Sequence, residues 1–340
     1  MDRDTPLLGS VSWFVITVFF KIQIITIMGQ MGKSDKLKGY LFGAIAAATY
    51  GMNPLFALPL YSIGMSLVSV LFFRYLFAVV AIAIMIKARG HDFRVPMKAL
   101  LLLVVMGILF VLSSLTLFGS YKYMDAGIAS TILFVYPIMV SIIMTLFFKE
   151  KMTFRTVFCL LAAFGGIVLL YKGSDGTTLS SVGIALVLGS ALSYAIYIAG
   201  MNIELLKSIP TIKVTFYALL SGLVVLGVLS AINGLQVPQG EKWYLWGNLV
   251  ALGLLPTAVS LLCTTAAIQR IGSTSTAILG ALEPLTAVFF GITVFGEKLT
   301  LRNVAGLVLV LVSVSIVILG GKLPEFFLRI RKLFPRRKKK

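Results

Sequence analysis

Charge is scarce in this chain. Of its 340 residues only 12% are Asp, Glu, Lys or Arg, against about 25% in an ordinary soluble domain. So few charges cannot coat a water-exposed surface of this size, which excludes a soluble globular fold. Histidine occurs once, His91 in a charged loop, and cysteine twice, Cys159 and Cys263, both in apolar stretches without a CxxC pair. A metal or catalytic centre built on His or Cys therefore lacks its ligands. No phosphate-binding glycine loop and no sizeable soluble segment is present, so ATP-driven work is not indicated and no cofactor is implied. Acidic residues number 12 against 30 Lys and Arg, a net charge of +18. In a soluble protein that excess would suggest nucleic acid. Here no basic surface with interleaved aromatics exists to bind it.

Apolar residues dominate instead. They make up 59% of the chain, and mean hydropathy is +1.01. About 20 mainly apolar residues cross a hydrocarbon core of about 30 Å as a helix. Ten such runs follow residue 37, at about 39–58, 66–86, 98–120, 126–148, 153–171, 181–201, 211–231, 244–268, 274–295 and 302–320. They are numbered spans 1 to 10 below. The runs are continuously apolar with no two-residue alternation, so barrel strands are excluded and the expected fold is an all-α membrane protein. Residues 1–37 form an extension whose apolar part, 7–28, reads as an extra helix, an interfacial helix or the product of an upstream start codon. Residues 321–340 form a basic tail, either solvated or resting on anionic lipid.

Basic residues near the ends of spans set orientation. With residues 33–38 inside, the inner segments hold 22 Lys and Arg and the outer segments five. Both ends of the ten-span core are therefore expected in the cytoplasm.

The chain repeats itself. A shift of 147 aligns residues 148–155 with 295–302, five of eight identical, and pairs Pro137 with Pro284. A shift of 144 pairs Gly39, Ala47 and Tyr50 with Gly183, Ala191 and Tyr194. Two units follow, 38–172 and 181–320. A unit with an odd number of spans must invert when repeated in tandem, so two inverted five-helix halves are expected. Glu150 and Glu297 mark the matching hairpins at opposite mouths, as boundary residues or gates. Pro137 and Pro284 lie within spans 4 and 9, where each removes a helical N–H and serves as a packing kink or a hinge.

The order Tyr136-Pro137, apolar run, Glu150, polar turn and Gly166, repeated as Glu283-Pro284 through Glu297 to Gly306, resembles the drug/metabolite transporter superfamily and its EamA-type ten-helix members. The phrase Leu282-Glu283-Pro284 is similar to the second-half signature, and Arg74 in Phe72-Phe73-Arg74-Tyr75 is similar to the second helix of that family. The resemblance covers about residues 38–320. It implies a carrier of small metabolites in a bacterial inner membrane, often an exporter.

Inverted halves place a substrate site at their seam near the midplane, and ionisable groups there are functional candidates. Two stand out. Glu283 is the candidate proton carrier or else a structural acid bonded to freed backbone or to Arg74, and Arg74 is a candidate anchor for an anionic substrate or else the structural partner of a carboxylate. Tyr50 and Asn53 in span 1, and Tyr194 and Tyr197 in span 6, are spaced i, i+3 on one helix face. With Ser113, its neighbour Ser114, and Tyr136 they complete the expected substrate-binding set. The expected partners are a small-molecule substrate and the lipid bilayer, with the chain a monomer or weak dimer. A facilitator without gradient coupling remains an alternative. A membrane-embedded enzyme lacks the paired acids or Ser/Lys dyad it would need.

Overall fold

In the computed structural model the described residues are 34–148, 180–238, 243–280, 282–296, 300–302 and 304–309, with single positions at 158, 162, 165, 166, 169 and 312. All regular structure among them is helical. Seven helices are long and apolar enough to cross a membrane, from Asp35–Ser62 to Trp243–Ala277, with a shorter apolar helix at Leu282–Phe295. Most of spans 5 and 10, the hairpins at Glu150 and Glu297, residues 1–33 and the basic tail lie outside the described residues.

Span 1 is two helices, α1 (Ser34–Tyr50) and α2 (Asn53–Ser62). Spans 2 and 3 are continuous, α3 (Leu67–Ala88) and α4 (Met97–Ser120). Span 4 is again two, α5 (Ala126–Leu133) and α6 (Tyr136–Phe148). Span 6 is α7 (Ser181–Gly200), followed by the short α8 (Glu204–Lys207) and by span 7, α9 (Thr211–Asn233). Span 8 is α10 (Trp243–Gly253), a π-helical turn (Leu254–Val259) and the first part of α11 (Ser260–Leu279). Gly272 breaks α11 with φ 81° and ψ 166°, a conformation that glycine alone adopts readily. The rest of α11 and α12 (Leu282–Phe295) make span 9.

Local chemistry sets these ends. Ser66 caps α3, its side chain accepting from the Ser69 amide at 3.2 Å, a cap worth about 1 kcal/mol. At the far end Gly90 takes φ 68°. There the His91 amide donates to the Ile86 carbonyl and the Gly90 amide to that of Lys87, both at 3.1 Å. This is the glycine stop that satisfies the last carbonyls of a helix.

Apolar side chains face outward at helical spacing: Leu101, Val105, Ile108 and Leu112 on span 3, and Val224, Val228 and Ile232 on span 7. Such stripes fit lipid, not water. Trp243, Tyr244 and Trp246 are also exposed at the start of span 8, where amphipathic rings suit the membrane boundary.

Helix pairing obeys a two-fold rule. Span 1 packs on span 8 as span 6 packs on span 3, span 7 on span 3 as span 2 on span 8, and span 6 on span 4 as span 1 on span 9. Span 2 packs on its own counterpart, span 7. One hydrogen bond fixes the register in each half. Ser190 donates to the Ser113 carbonyl at 2.8 Å, and Ser260 donates to the Ala46 carbonyl at 2.9 Å. Residues 113 and 260 are related by the 147 shift, and 46 and 190 by the 144 shift.

The halves run in opposite directions. One face of the bundle, face A, gathers the start of span 1, where Gly39 lies against Ile271, the loop 89–96 and the start of span 7. Gln269 joins them through Thr211 and the Ile209 carbonyl. The opposite face B gathers Ser66, Gln236, Tyr123 and the start of span 6 at Gly183. Span 1 thus begins where span 6 ends.

Two straps mirror one another. On face A the loop after span 2 ties to the first turns of span 7. Lys213 pairs with Asp92 and donates to the Arg94 carbonyl at 3.1 Å, and Tyr217 donates to the Phe93 carbonyl. The hydrogen bond from Lys213 holds the exposed Asp92 carboxyl below its ordinary pKa. On face B the loop after span 7 ties to the first turn of span 2. The Ser66 amide donates to Gln236 at 2.6 Å, and the Gln236 amide donates to Ser69 at 2.9 Å.

Candidate functional site

The broken spans meet at the seam. Span 1 breaks at Gly51 and Met52, with Pro54 in the first turn of α2. Span 4 breaks at Phe134 and Val135, directly before Tyr136 and Pro137. Span 9 breaks near Gly280, directly before Glu283 and Pro284. Each proline stands in the first turn of a new helix, where its missing N–H leaves no bond unmade. Pro137 and Pro284 therefore begin helices and do not bend continuous ones. A Cβ on Gly51 would strike the Glu283 carbonyl, and one on Gly280 would strike the Tyr136 hydroxyl. Glycine at both positions lets the breaks approach backbone to backbone and backbone to ring.

Around this junction lies a chamber lined by Tyr50, Tyr136, Tyr194, Ser260, Thr264 and Glu283 among others. Its rings are ordered. Tyr194 stacks on Tyr50 with centroids 5.8 Å apart, stacks on Tyr197 at 6.0 Å, and meets Tyr136 edge-on at 4.8 Å. Phe110 closes the group at 5.3 Å from Tyr197. The open volume is roughly 10 Å³, about enough for one water. Glu283 is 4% exposed. Among the described residues the ion pairs are Glu204–Lys207 and Asp92–Lys213, so Glu283 and Arg74 do not pair.

Arg74 also lies against Tyr50. It is fully buried, and its guanidinium carbon is 5.8 Å from the Tyr50 ring centre, 6.0 Å from Tyr75 and 4.9 Å from Phe118. Its Nε donates to Thr257 Oγ1 at 2.6 Å, and Thr257 in turn donates to the Leu252 carbonyl at 2.8 Å. Pro256 explains this arrangement. It cannot donate to the helical ladder and crowds the preceding turn, so the backbone widens into the π turn that aims Thr257 at Arg74. Such turns are frequent at functional sites. Gly253 makes the approach possible, since a Cβ there would lie 2.9 Å from the Arg74 carbonyl.

Residues 37–172 and 181–319 each match the EamA-like transporter family. The chain belongs to that family. It is similar to an "uncharacterized transporter" of Archaeoglobus fulgidus, 29% identical over 198 residues, 58% of this chain and 69% of the relative. A second protein of that name from the same organism is 28% identical over 255 residues, 75% of this chain and 88% of the relative. A solved structure titled "Crystal structure of protein" shares the fold, with a TM-score of 0.60 and 16% identity over 83% of this chain and 96% of its own. The protein is thus a multi-pass EamA-family membrane transporter.

Within this EamA chain, Tyr50, Tyr136, Tyr194 and Glu283 share one chamber, and Tyr197 stacks beside it. Arg74 and Asn53 are buried next to Tyr50 in space or sequence. Ser113 stands apart: its hydroxyl meets that of Ser190 at 2.9 Å, and both serve helix pairing. Ser114 bonds to the Tyr75 hydroxyl at 2.9 Å. Glu150 and Glu297 lie outside the described residues. Sequence reading passed over Thr257, Tyr61, Tyr75, Phe110, Phe118 and Tyr121. Pro256 within an apolar span was the available signal for Thr257. The rings carry no signal in an apolar run.

Proposed function

We propose that this EamA protein is a secondary transporter of small metabolites, such as amino acids or drug-like compounds, that works by alternating access and couples export to protons through Glu283. The observation that carries the reading is the buried Glu283, without an ion-pair partner among the described residues, at the start of a half-helix and lining a tyrosine-walled chamber on the seam of two inverted halves. An ionised carboxylate there needs water or a partner, whereas a protonated one tolerates closure. Proton loss and gain can therefore bias which mouth opens. Tyr50, Tyr136, Tyr194 and Tyr197 hold the substrate body, Pro137 and Pro284 begin the moving half-helices, and Glu150 and Glu297 border the two mouths.

The chamber is too small in this conformation to pass a metabolite, which favours a carrier over an open pore. Lys36, Lys38, Lys87, Arg89, Arg94, Lys98, Lys207, Lys213 and Arg270 belong to face A, against Lys122 and Arg302 on face B. Face A is therefore assigned to the cytoplasm of a bacterial inner membrane. One chain encloses the path, and the basic tail is assigned to anionic lipid. The test is a substrate screen in proteoliposomes with and without a pH gradient. Concentration of a solute against its own gradient, driven by protons and lost in Glu283→Gln, is expected. Flux that ignores the pH gradient and is unchanged in Glu283→Gln would leave a facilitator and reject the coupling role.

A further inference from the structure

Arg74 carries more donors than its surroundings use. Nε is satisfied by Thr257, but Nη1 and Nη2 have no partner among the described residues, and both are buried. The groups around them are in the same condition. The hydroxyls of Tyr61 and Tyr121 are buried without a partner among the described residues, and that of Tyr50 makes only a loose approach to the Arg74 side chain; the Asn53 amide, three residues on from Tyr50, is also buried and unpartnered. The rings tie these groups to one place. Phe118, 4.9 Å below the guanidinium, meets Tyr121 at 5.4 Å and Tyr61 at 6.5 Å, and Tyr50 lies 5.8 Å from the same carbon. Buried polar groups are nearly always bonded, and a charged fork in a membrane interior is costly without a partner. So many open donors around one cation describe a site built for an anion.

We propose that this cage is a carboxylate-binding subsite, in which the two terminal nitrogens of Arg74 grip both oxygens of a monocarboxylate and the neutral donors complete its shell. The proposal rests on the transport reading above and names the chemical class of solute it carries. Geometry and charge choose the class. The Arg fork matches a planar two-oxygen anion. Arg74 is the one fully buried cation among the described residues, and Glu283 the one buried acid. A monoanion balances Arg74, whereas a phosphate dianion would leave a charge uncompensated. Glu283 shares its chamber with Tyr50, Tyr136 and Tyr194 and, whenever ionised, repels a carboxylate, so the solute lies with its acid end at Arg74 and its body along Tyr50 toward Tyr194 and Tyr197. On face B, the side to which an exporter releases its solute, a pocket of roughly 530 Å³ is rimmed by Ile63, Gly64 and Met65, just along the chain from Tyr61.

The test uses the full chain in lipid nanodiscs and titration calorimetry. Acetate, butyrate and phenylacetate are each compared with the corresponding neutral amide, and phenylacetate is compared with phenyl phosphate. At least one acid is expected to bind tenfold or more tightly than its amide, with phenylacetate ahead of phenyl phosphate. Arg74→Gln is expected to erase the preference and Arg74→Lys to reduce it about tenfold, because the fork is lost while the charge stays. Acids that bind no better than amides, a preference for phenyl phosphate, or a folded Arg74→Gln protein that keeps the acid preference would each overturn the subsite. Should Arg74→Gln fail to fold, Thr257→Val and Tyr61→Phe decide: acid binding about three- to tenfold weaker with amide binding unchanged supports the cage, and unchanged acid binding in both overturns it. Arg74-dependent acid binding without movement of any solute in liposomes sinks the transport reading and leaves the subsite standing. Proton-driven transport without acid preference does the reverse.

Discussion

The two halves of this transporter share a backbone plan and differ in the chemistry hung on it. Ser113 with Ser190 and Ser260 with Ala46 hold equivalent helix pairs. At other related positions the match ends. Tyr136 in the first half faces Glu283 in the second, Asn53 answers Tyr197, and Phe110 answers Thr257. Phe110 packs among rings, while Thr257 sits on a π turn and bonds to Arg74. Span 1 is broken where span 6 runs through. Symmetry thus supplies two matching bundles, and departures from symmetry supply the buried acid at Glu283 and the guanidinium anchored by Thr257.

That contrast can be broken in several ways. The strongest blow is to the Tyr136/Glu283 pair. Glu283→Gln should remove proton-driven transport down to the background of empty liposomes, whereas Tyr136→Phe, which keeps the ring edge against Tyr194, should retain most of it. Equal loss in both would mean that the acid has no special part. Next comes the Phe110/Thr257 pair. Phe110→Ala empties a buried ring site and should cost about 3–5 kcal/mol in unfolding measurements. Thr257→Val, nearly the same size, should cost about 1–3 kcal/mol by leaving the Arg74 Nε unbonded, yet impair solute binding more than the Phe110 change impairs it per unit of stability lost. The serine pairs should show the reverse of asymmetry. Ser190→Ala and Ser260→Ala should each cost on the order of 0.6 kcal/mol, and a large inequality would break the two-fold register. The smallest effect concerns the face A strap. Its hydrogen bond to Lys213 depresses the Asp92 pKa, so the stabilisation is present above the ordinary carboxylate pKa of about 3.9. It is lost only as pH falls through the lower folded value. A spin label at position 91 should keep its mobility from about pH 8 to 5 and loosen below about 4, and Asp92→Asn should show the loosened state throughout.

Much of this architecture was legible in the residues. Hydropathy alone marks the spans, because lipid demands length and apolarity. The 144 and 147 shifts recover the pairing, because duplicated helices keep their contact faces. The breaks were harder to read. Pro137 and Pro284 suggested bends in continuous helices, but the helices stop and restart, since Gly51 and Gly280 let neighbouring breaks press together. Tyr50, Tyr136, Tyr194 and Glu283 line one chamber; of these, repeat symmetry related only Tyr50 and Tyr194 as members of equivalent helix faces. Ser113 does not join them, because a serine on a helix face bonds as readily to the next helix as to a solute. Tyr61, Tyr121 and Phe118 were invisible for a plain reason: which aromatic among many surrounds a guanidinium depends on distant contacts, and no spacing along the chain encodes those.

The unequal straps carry a consequence for the cell. The strap at Asp92 and Lys213 is held partly by opposite charges, while the one at Gln236 is held by neutral groups. Mobile ions weaken attraction between exposed charges and leave amide–hydroxyl bonds nearly untouched. Electrolyte on one side of the bilayer therefore loosens the Asp92–Lys213 strap, and the same electrolyte on the other side leaves the Gln236 strap nearly as it was.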